Sequence, residues 1–268
     1  MARHDPATAA NETFYANQGL DYLNAAPHLK HVSLRVLHDQ LVADIYRISA
    51  AGSRIPAVLD LGAGEGTSSE AFLKLGAKVT AVDLSSTQLR KLQARCTGAG
   101  ARLDVICDDA WAVLKRPASF DVVVLNSFLH HVPDYLGLIS EAIKCLEPGG
   151  QLFSFQDPLR YDTVARATYT FANASYFGWR IFQGDLVRGL KTRLRRLRGI
   201  HVAGSEEDDA EYHVTRNGVD QLAIVELMRS AGFDVRVVRY FSTQSSIMQR
   251  IGSLARLENT FGILAQRR

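Results

Sequence analysis

Five short apolar runs alternate with helix-like segments between residues 56 and 157, and no other feature restricts the fold of this chain as strongly. The runs are AVLDLG, AKVTAVDL, RLDVICDDA, FDVVVLNS and QLFSFQD. Residues 65 to 75 read as a helix ended by Gly76. SSTQLRKLQARC opens with serines suited to an N-cap and continues as an amphipathic helix, and DYLGLISEAIKCLEPGG is a helix closed by Pro-Gly-Gly. FDVVVLNS is apolar at successive positions, as a strand buried on both faces requires. Strand and helix joined by short connections form βαβ units, so the pattern predicts an α/β fold with a doubly wound, mostly parallel sheet. A later helix, GVDQLAIVELMRSAGF, and the strands DVRVVRY and NTFGILAQRR bring the sheet to seven strands, the last expected at an edge.

Four segments follow from this reading. Residues 1–54 form an N-terminal helical segment, with Leu34, Leu37, Leu41 and Ile45 at helical spacing, expected to cover the site. Residues 55–157 are the ligand-binding core, and 217–268 complete the sheet. Residues 158–216 break the alternation and are expected to form a helical cap inserted after strand 5, where open α/β sheets bind ligands. The insert gathers Tyr161, Tyr169, Phe171, Tyr176, Phe177, Trp179 and Phe182, then a run with Leu186, Leu190, Leu194 and Leu197 between arginines, then the acids Glu206 to Asp209. The basic helix at 186–198 suits peripheral contact with an anionic membrane, or pairing with those nearby acids, which is the favoured reading.

Composition narrows the setting. The chain has 268 residues, enough to bury a large core without covalent staples. Its three cysteines, Cys96, Cys107 and Cys145, are scattered and lack a C-x-x-C pair, which argues against a disulfide framework and against a metal site. No stretch is apolar for long enough to span a membrane, and MARHDPATAANETFY lacks a secretory apolar core, so a cytoplasmic setting is expected. A net charge of +3 gives no reason to expect nucleic acid.

VLDLGAGEGTSSEAF delivers a strand into a glycine-rich turn and then a helix, the arrangement that presents backbone N–H groups to a ligand. The glycines are Gly62, Gly64 and Gly66, and Thr67 occupies the place of the third glycine of a dinucleotide fingerprint. Asp60 and Glu65 bring negative charge, which suits a cationic amine better than a pyrophosphate. The same residues also make an ordinary tight turn, and the other motifs weigh against that reading.

VLDLGAGEG, followed by VTAVDLS, CDDA, FDVVVLNSFLHHVPD and CLEPGGQLFSF, resembles the class I S-adenosylmethionine-dependent methyltransferases, in their small-molecule branch. The resemblance covers residues 56 to 157 and, more loosely, 217 to 266. It implies S-adenosylmethionine as cofactor, with Asp60 near the methionine amine and Gly62, Gly64 and Gly66 under the methionine and ribose. Asp83 would accept from the ribose hydroxyls and Leu84 would cover one adenine face. Asp109, in competition with Asp108, would accept from the adenine amino group, with Ala110 donating a backbone N–H. Asn126 would line the channel near the sulfonium.

The implied activity is methyl transfer to a small, partly apolar acceptor, first at oxygen, as in secondary, lipid, quinone or sugar metabolism. The alternatives are a protein of the same fold that binds the cofactor but catalyses a non-methylating step such as cyclisation, and a non-catalytic binding module. A hydroxyl acceptor needs a base, and an imidazole suits it. His131 and His130 are the candidates, His131 preferred from the resemblance, with adjacent rings expected to point apart. His201 and His213 are alternatives in the insert, and Tyr15 and Tyr22 of an N-terminal helix are candidates to line the cavity.

Overall fold

The computed structural model describes residues 27–51, 54–182 and 217–268. Tyr15, Tyr22, His201, His213, the basic run at 186–198 and the acids at 206–209 lie outside the described residues. The predicted alternation is observed. After the short helix α1 (Pro27–Lys30) and the long helix α2 (Val32–Ser49) come β1 (Ala57–Leu61), α3 (Thr67–Leu75), β2 (Lys78–Asp83), α4 (Ser86–Arg95) and β3 (Leu103–Cys107). Then follow α5 (Ala110–Leu114), β4 (Phe120–Asn126), α6 (Tyr135–Ala142), β5 (Leu146–Pro158) and α7 (Arg166–Phe182). The chain ends with α8 (Gln221–Ser230), β6 (Phe233–Tyr240), α9 (Ser246–Leu254) and β7 (Thr260–Arg267).

The seven strands lie in the order β3-β2-β1-β4-β5-β7-β6. The first five pair in parallel, and β7 pairs antiparallel with both β5 and β6. The strand order therefore reverses between β1 and β4, the switch point at which open sheets form a crevice. One expectation is corrected here: β7 is an interior strand, and the edges are β3 and β6. Both backbone edges of β7 are paired, one with β5 and the other with β6, so it leaves no open edge.

Side-chain alternation builds a core on each face. One face carries Leu59, Leu61, Val123, Leu125, Leu152 and Ile263 against α6 and α8. The other carries Val58, Val122, Val124, Phe153 and Phe155, against Leu34, Leu41, Val42 and Ile45 of α2 and Phe72 of α3. Phe72, Phe153 and Phe155 are fully buried, each stabilising the fold by roughly 1.5–3 kcal/mol. The described part of the N-terminal segment is thus a core helix of one face; Leu37, one of its four patterned leucine and isoleucine positions, is only half-buried.

The insert begins and ends at one place. Leu159 forms a parallel bridge with Val219, the Val219 N–H donates to the Pro158 carbonyl, and the Tyr161 N–H donates to that of Asn217. Arg160 pairs with both Asp162 and Asp220. From this base α7 rises with the aromatic residues, and Phe171 packs on Phe241, ring centroids 5.6 Å apart.

Candidate active site

The carboxyl ends of the parallel strands bring most of the sequence-selected residues to one edge of the sheet. Asp60 sits one residue before the end of β1, and Asp83 ends β2 opposite Cys107 of β3. Asn126 ends β4 opposite Phe155 of β5. Asp108 and Asp109 fall just beyond β3, which is shorter than predicted because Asp109 caps α5, accepting from the Trp111 N–H at 2.8 Å. Asp108 accepts the Asp109 N–H and pairs with Arg116. Ala110 is buried at the start of α5, and Leu84 follows Asp83, its carbonyl accepting from the Cys107 thiol at 3.5 Å.

The three glycines have different duties. Gly62, Gly64 and Gly66 all have positive φ, at 69°, 54° and 85°, a conformation glycine adopts without strain. A Cβ on Gly62 would lie 2.2 Å from the Phe128 ring, and one on Gly66 would lie 2.5 Å from the Leu92 side chain. A Cβ on Gly64 would meet nothing within 4 Å. Gly62 and Gly66 are therefore small for packing as well as for turning, and Gly64 is the one whose backbone faces open space. Its N–H donates to Asp83 Oδ2 at 2.8 Å, and the Ser85 N–H donates to Asp83 Oδ1 at 2.8 Å. Asp83 is not a helix cap; Ser85 serves α4 in that role.

Asp60 is 1% exposed. Its Oδ2 accepts from Ser69 Oγ at 2.6 Å, whereas Oδ1 has no hydrogen-bond partner among the described residues. Burial, reinforced by the charge of Asp83, lifts the Asp60 carboxyl to about 7. Burial likewise raises Asp83, against the two backbone N–H groups that it accepts. Glu65, expected to face the ligand, does not: it pairs with Lys91 of α4 at 2.7 Å, its carboxyl turned into the helix layer. That ion pair neutralises it, and the charge facing the turn comes from Asp60 and Asp83.

After β4 the chain makes a tight turn at Leu129–His131. Both histidines are buried, and their rings lie against each other, tilted by 46° with centroids 3.9 Å apart, not diverging as expected. His130 Nδ1 lies 2.8 Å from Asp157 Oδ1, and the same oxygen accepts the His130 backbone N–H at 3.1 Å. A carboxylate only accepts, so Nδ1 carries the ring proton and the neutral ring has its lone pair on Nε2. Asp157 is 0% exposed and sits near the end of β5.

Residues 58–150 match the family described as a methyltransferase domain. Over that span this chain is similar to methyltransferases. Among curated relatives it is 39% identical to a ubiquinone biosynthesis O-methyltransferase of Idiomarina loihiensis over 97 residues, 36% of this chain and 40% of that protein. The chain thus aligns with less than half the length of that relative. Among solved structures, the magnesium protoporphyrin IX methyltransferase of Synechocystis PCC 6803 with bound SAH aligns over 98% of this chain and 100% of its own, with TM-score 0.58 and 16% identity. The [4+2]-cyclase SpnF aligns over 86% of this chain and 81% of its own, with TM-score 0.52 and 17% identity. Both likenesses are of fold.

The glycine turn has acceptors suited to an amine-bearing nucleoside. Asp60 Oδ1 is a buried acceptor with no partner among the described residues, suited to a cationic donor. Asn126 Oδ1, at the end of β4, is in the same condition. The helices α4, α5, α6, α8 and α9 each open on a side-chain cap, from Ser85, Asp109, Asp134, Asp220 and Ser245. Helix α3 opens on Gly66 with none, so its first N–H groups face the turn without a competing side chain. Asp157 was not selected from sequence; its only signal was an acid at the end of a strand-like run. Among the described residues there is no cluster of His, Cys, Asp and Glu able to hold a metal, and no helix long and apolar enough to cross a membrane.

Proposed function

We propose that this protein transfers a methyl group from S-adenosylmethionine to a hydroxyl oxygen of a small, partly apolar acceptor, with His130 as general base. The His130–Asp157 pair carries the reading, because a buried imidazole oriented by a carboxylate, two residues after the Phe128 that lies against Gly62, suits a reaction that must remove a proton. Asp157 holds the proton on Nδ1 and balances the charge that His130 acquires when Nε2 takes the acceptor proton. The carboxylate partner moves the preference from His131 to His130. Asp60, Gly64 and Asp83 would hold the methionine and ribose portion, Leu84, Asp109 and Ala110 the adenine, and Asn126 the channel. When bound, S-adenosylmethionine supplies an electrophilic methyl group on a sulfonium. Tyr169, Phe171 and Tyr176 of α7, with Phe241, favour an acceptor with apolar surface, and the name of the curated relatives supports a phenol of the quinone-precursor type.

The test is turnover of purified protein with S-adenosylmethionine and a panel of alkylated catechols, followed by product mass and S-adenosylhomocysteine release. His130→Gln should lower kcat by about 10²–10⁴-fold and leave S-adenosylhomocysteine affinity nearly unchanged. Undiminished turnover in His130→Gln would remove the base role. A product of unchanged mass would point to a non-methylating step.

A further inference from the structure

Strand β5 contains one residue too many. Ser154 pairs with Ile263 of β7, but Phe261, two residues away on β7, pairs with Asp157, three residues on. In a regular ladder Phe261 would face Gln156. The extra residue reverses the alternation. Phe153 and Phe155 point to one face of the sheet, whereas Asp157 takes the face of Phe261 and is followed by Leu159 in that core. Without the bulge, Asp157 would stand on the face of Phe155, away from the position in which it now meets His130.

Gln156 accommodates the bulge with φ of 68°, unusual for a residue with a side chain. Its conformation is held from β6. The Gln156 N–H donates to the Tyr240 phenol oxygen at 2.8 Å, and Gln156 Nε2 donates to Ser242 Oγ at 2.6 Å. Tyr240 is itself fixed by stacking on Phe155, centroids 5.0 Å apart. Burial keeps its phenol neutral.

We infer that Tyr240 is a positioning residue for the His130–Asp157 pair, acting through the one-residue bulge at Gln156. The inference rests on the base reading above. Tyr240 fixes the backbone that decides which face Asp157 occupies.

The test reads the pair directly. In protein labelled with 15N-histidine, the His130 imidazole signals, assigned by their loss in His130→Gln, report its tautomer and titration midpoint. Asp157→Asn should lower the midpoint and abolish the fixed Nδ1–H tautomer. Tyr240→Phe keeps the ring stack and should move the midpoint in the same direction by at least half as much. Gln156→Val disfavours the left-handed backbone and should do the same with the tyrosine intact, so it carries the test if Tyr240→Phe does not fold. Adding Gln156→Gly to Tyr240→Phe should restore the wild-type midpoint, because glycine holds the bulge unaided; loss of the phenol dipole alone would not be reversed. An unmoved midpoint in Tyr240→Phe and Gln156→Val, beside a moved one in Asp157→Asn, overturns the positioning role and leaves the base reading standing. An unmoved midpoint in Asp157→Asn overturns the pairing on which both rest.

Discussion

Asp60→Asn tests the electrostatics of the glycine turn without any substrate. In the folded, ligand-free protein burial raises this carboxyl from 3.8 to about 7. Between those values the folded chain holds a proton that the unfolded chain has released, so stability falls as pH rises. Below 3.8 both states are protonated and the contribution vanishes; above 7 it levels off at a loss of about 4 kcal/mol. Between pH 5 and pH 8.5 this one group removes about 3 kcal/mol of stability. Asparagine does not titrate and removes that slope. Its amide also puts a donor where Oδ1 has no partner among the described residues, which costs about 1–3 kcal/mol at either pH and cancels from the comparison. Urea unfolding of wild type and Asp60→Asn at the two pH values measures the difference. The variant should lose about 3 kcal/mol less than wild type on going to the higher pH. Parallel pH profiles would refute the reasoning, for they would mean that Asp60 is ionised as easily folded as unfolded.

Two further outcomes follow from the same turn. Asp83→Ala deprives the Gly64 and Ser85 N–H groups of their acceptor and removes the proposed ribose partner; calorimetry should show S-adenosylhomocysteine affinity lower by on the order of 10²-fold. Gly62→Ala drives a methyl into the Phe128 ring in a strained backbone and should lose roughly 2–4 kcal/mol of stability, whereas Gly64→Ala meets no neighbour and should lose only about 1–2 kcal/mol in urea unfolding while weakening S-adenosylhomocysteine more than its stability loss explains.

The parallel half of the sheet was legible because each of its strands ends where polarity changes abruptly: AVLDL into glycines, KVTAVD into serines, FDVVVLN into a polar turn. Asp83 and Asn126 could be placed from those endings alone. The antiparallel half was less so. NTFGILAQRR has the pattern of a strand, but nothing in it says that the chain will insert it between β5 and β6. Glu65 was misjudged because proximity along the chain to the glycines says nothing of Lys91, an ion-pair partner 26 residues away. Asp157 was passed over for a related reason. Alternation counted along FSFQD assigns it to the face of the two phenylalanines, and only the pairing with β7 reveals the skipped residue. A bulge at glutamine leaves no mark in composition, since the glycine that would announce it is missing and a tyrosine 84 residues later does the holding.

The paired stems at Leu159 and Val219 have a practical implication. A segment whose entry and exit are neighbours can be exchanged for another of different length without asking any strand of the sheet to move. If acceptor choice resides in that segment, as proposed, it and cofactor grip become separate engineering problems.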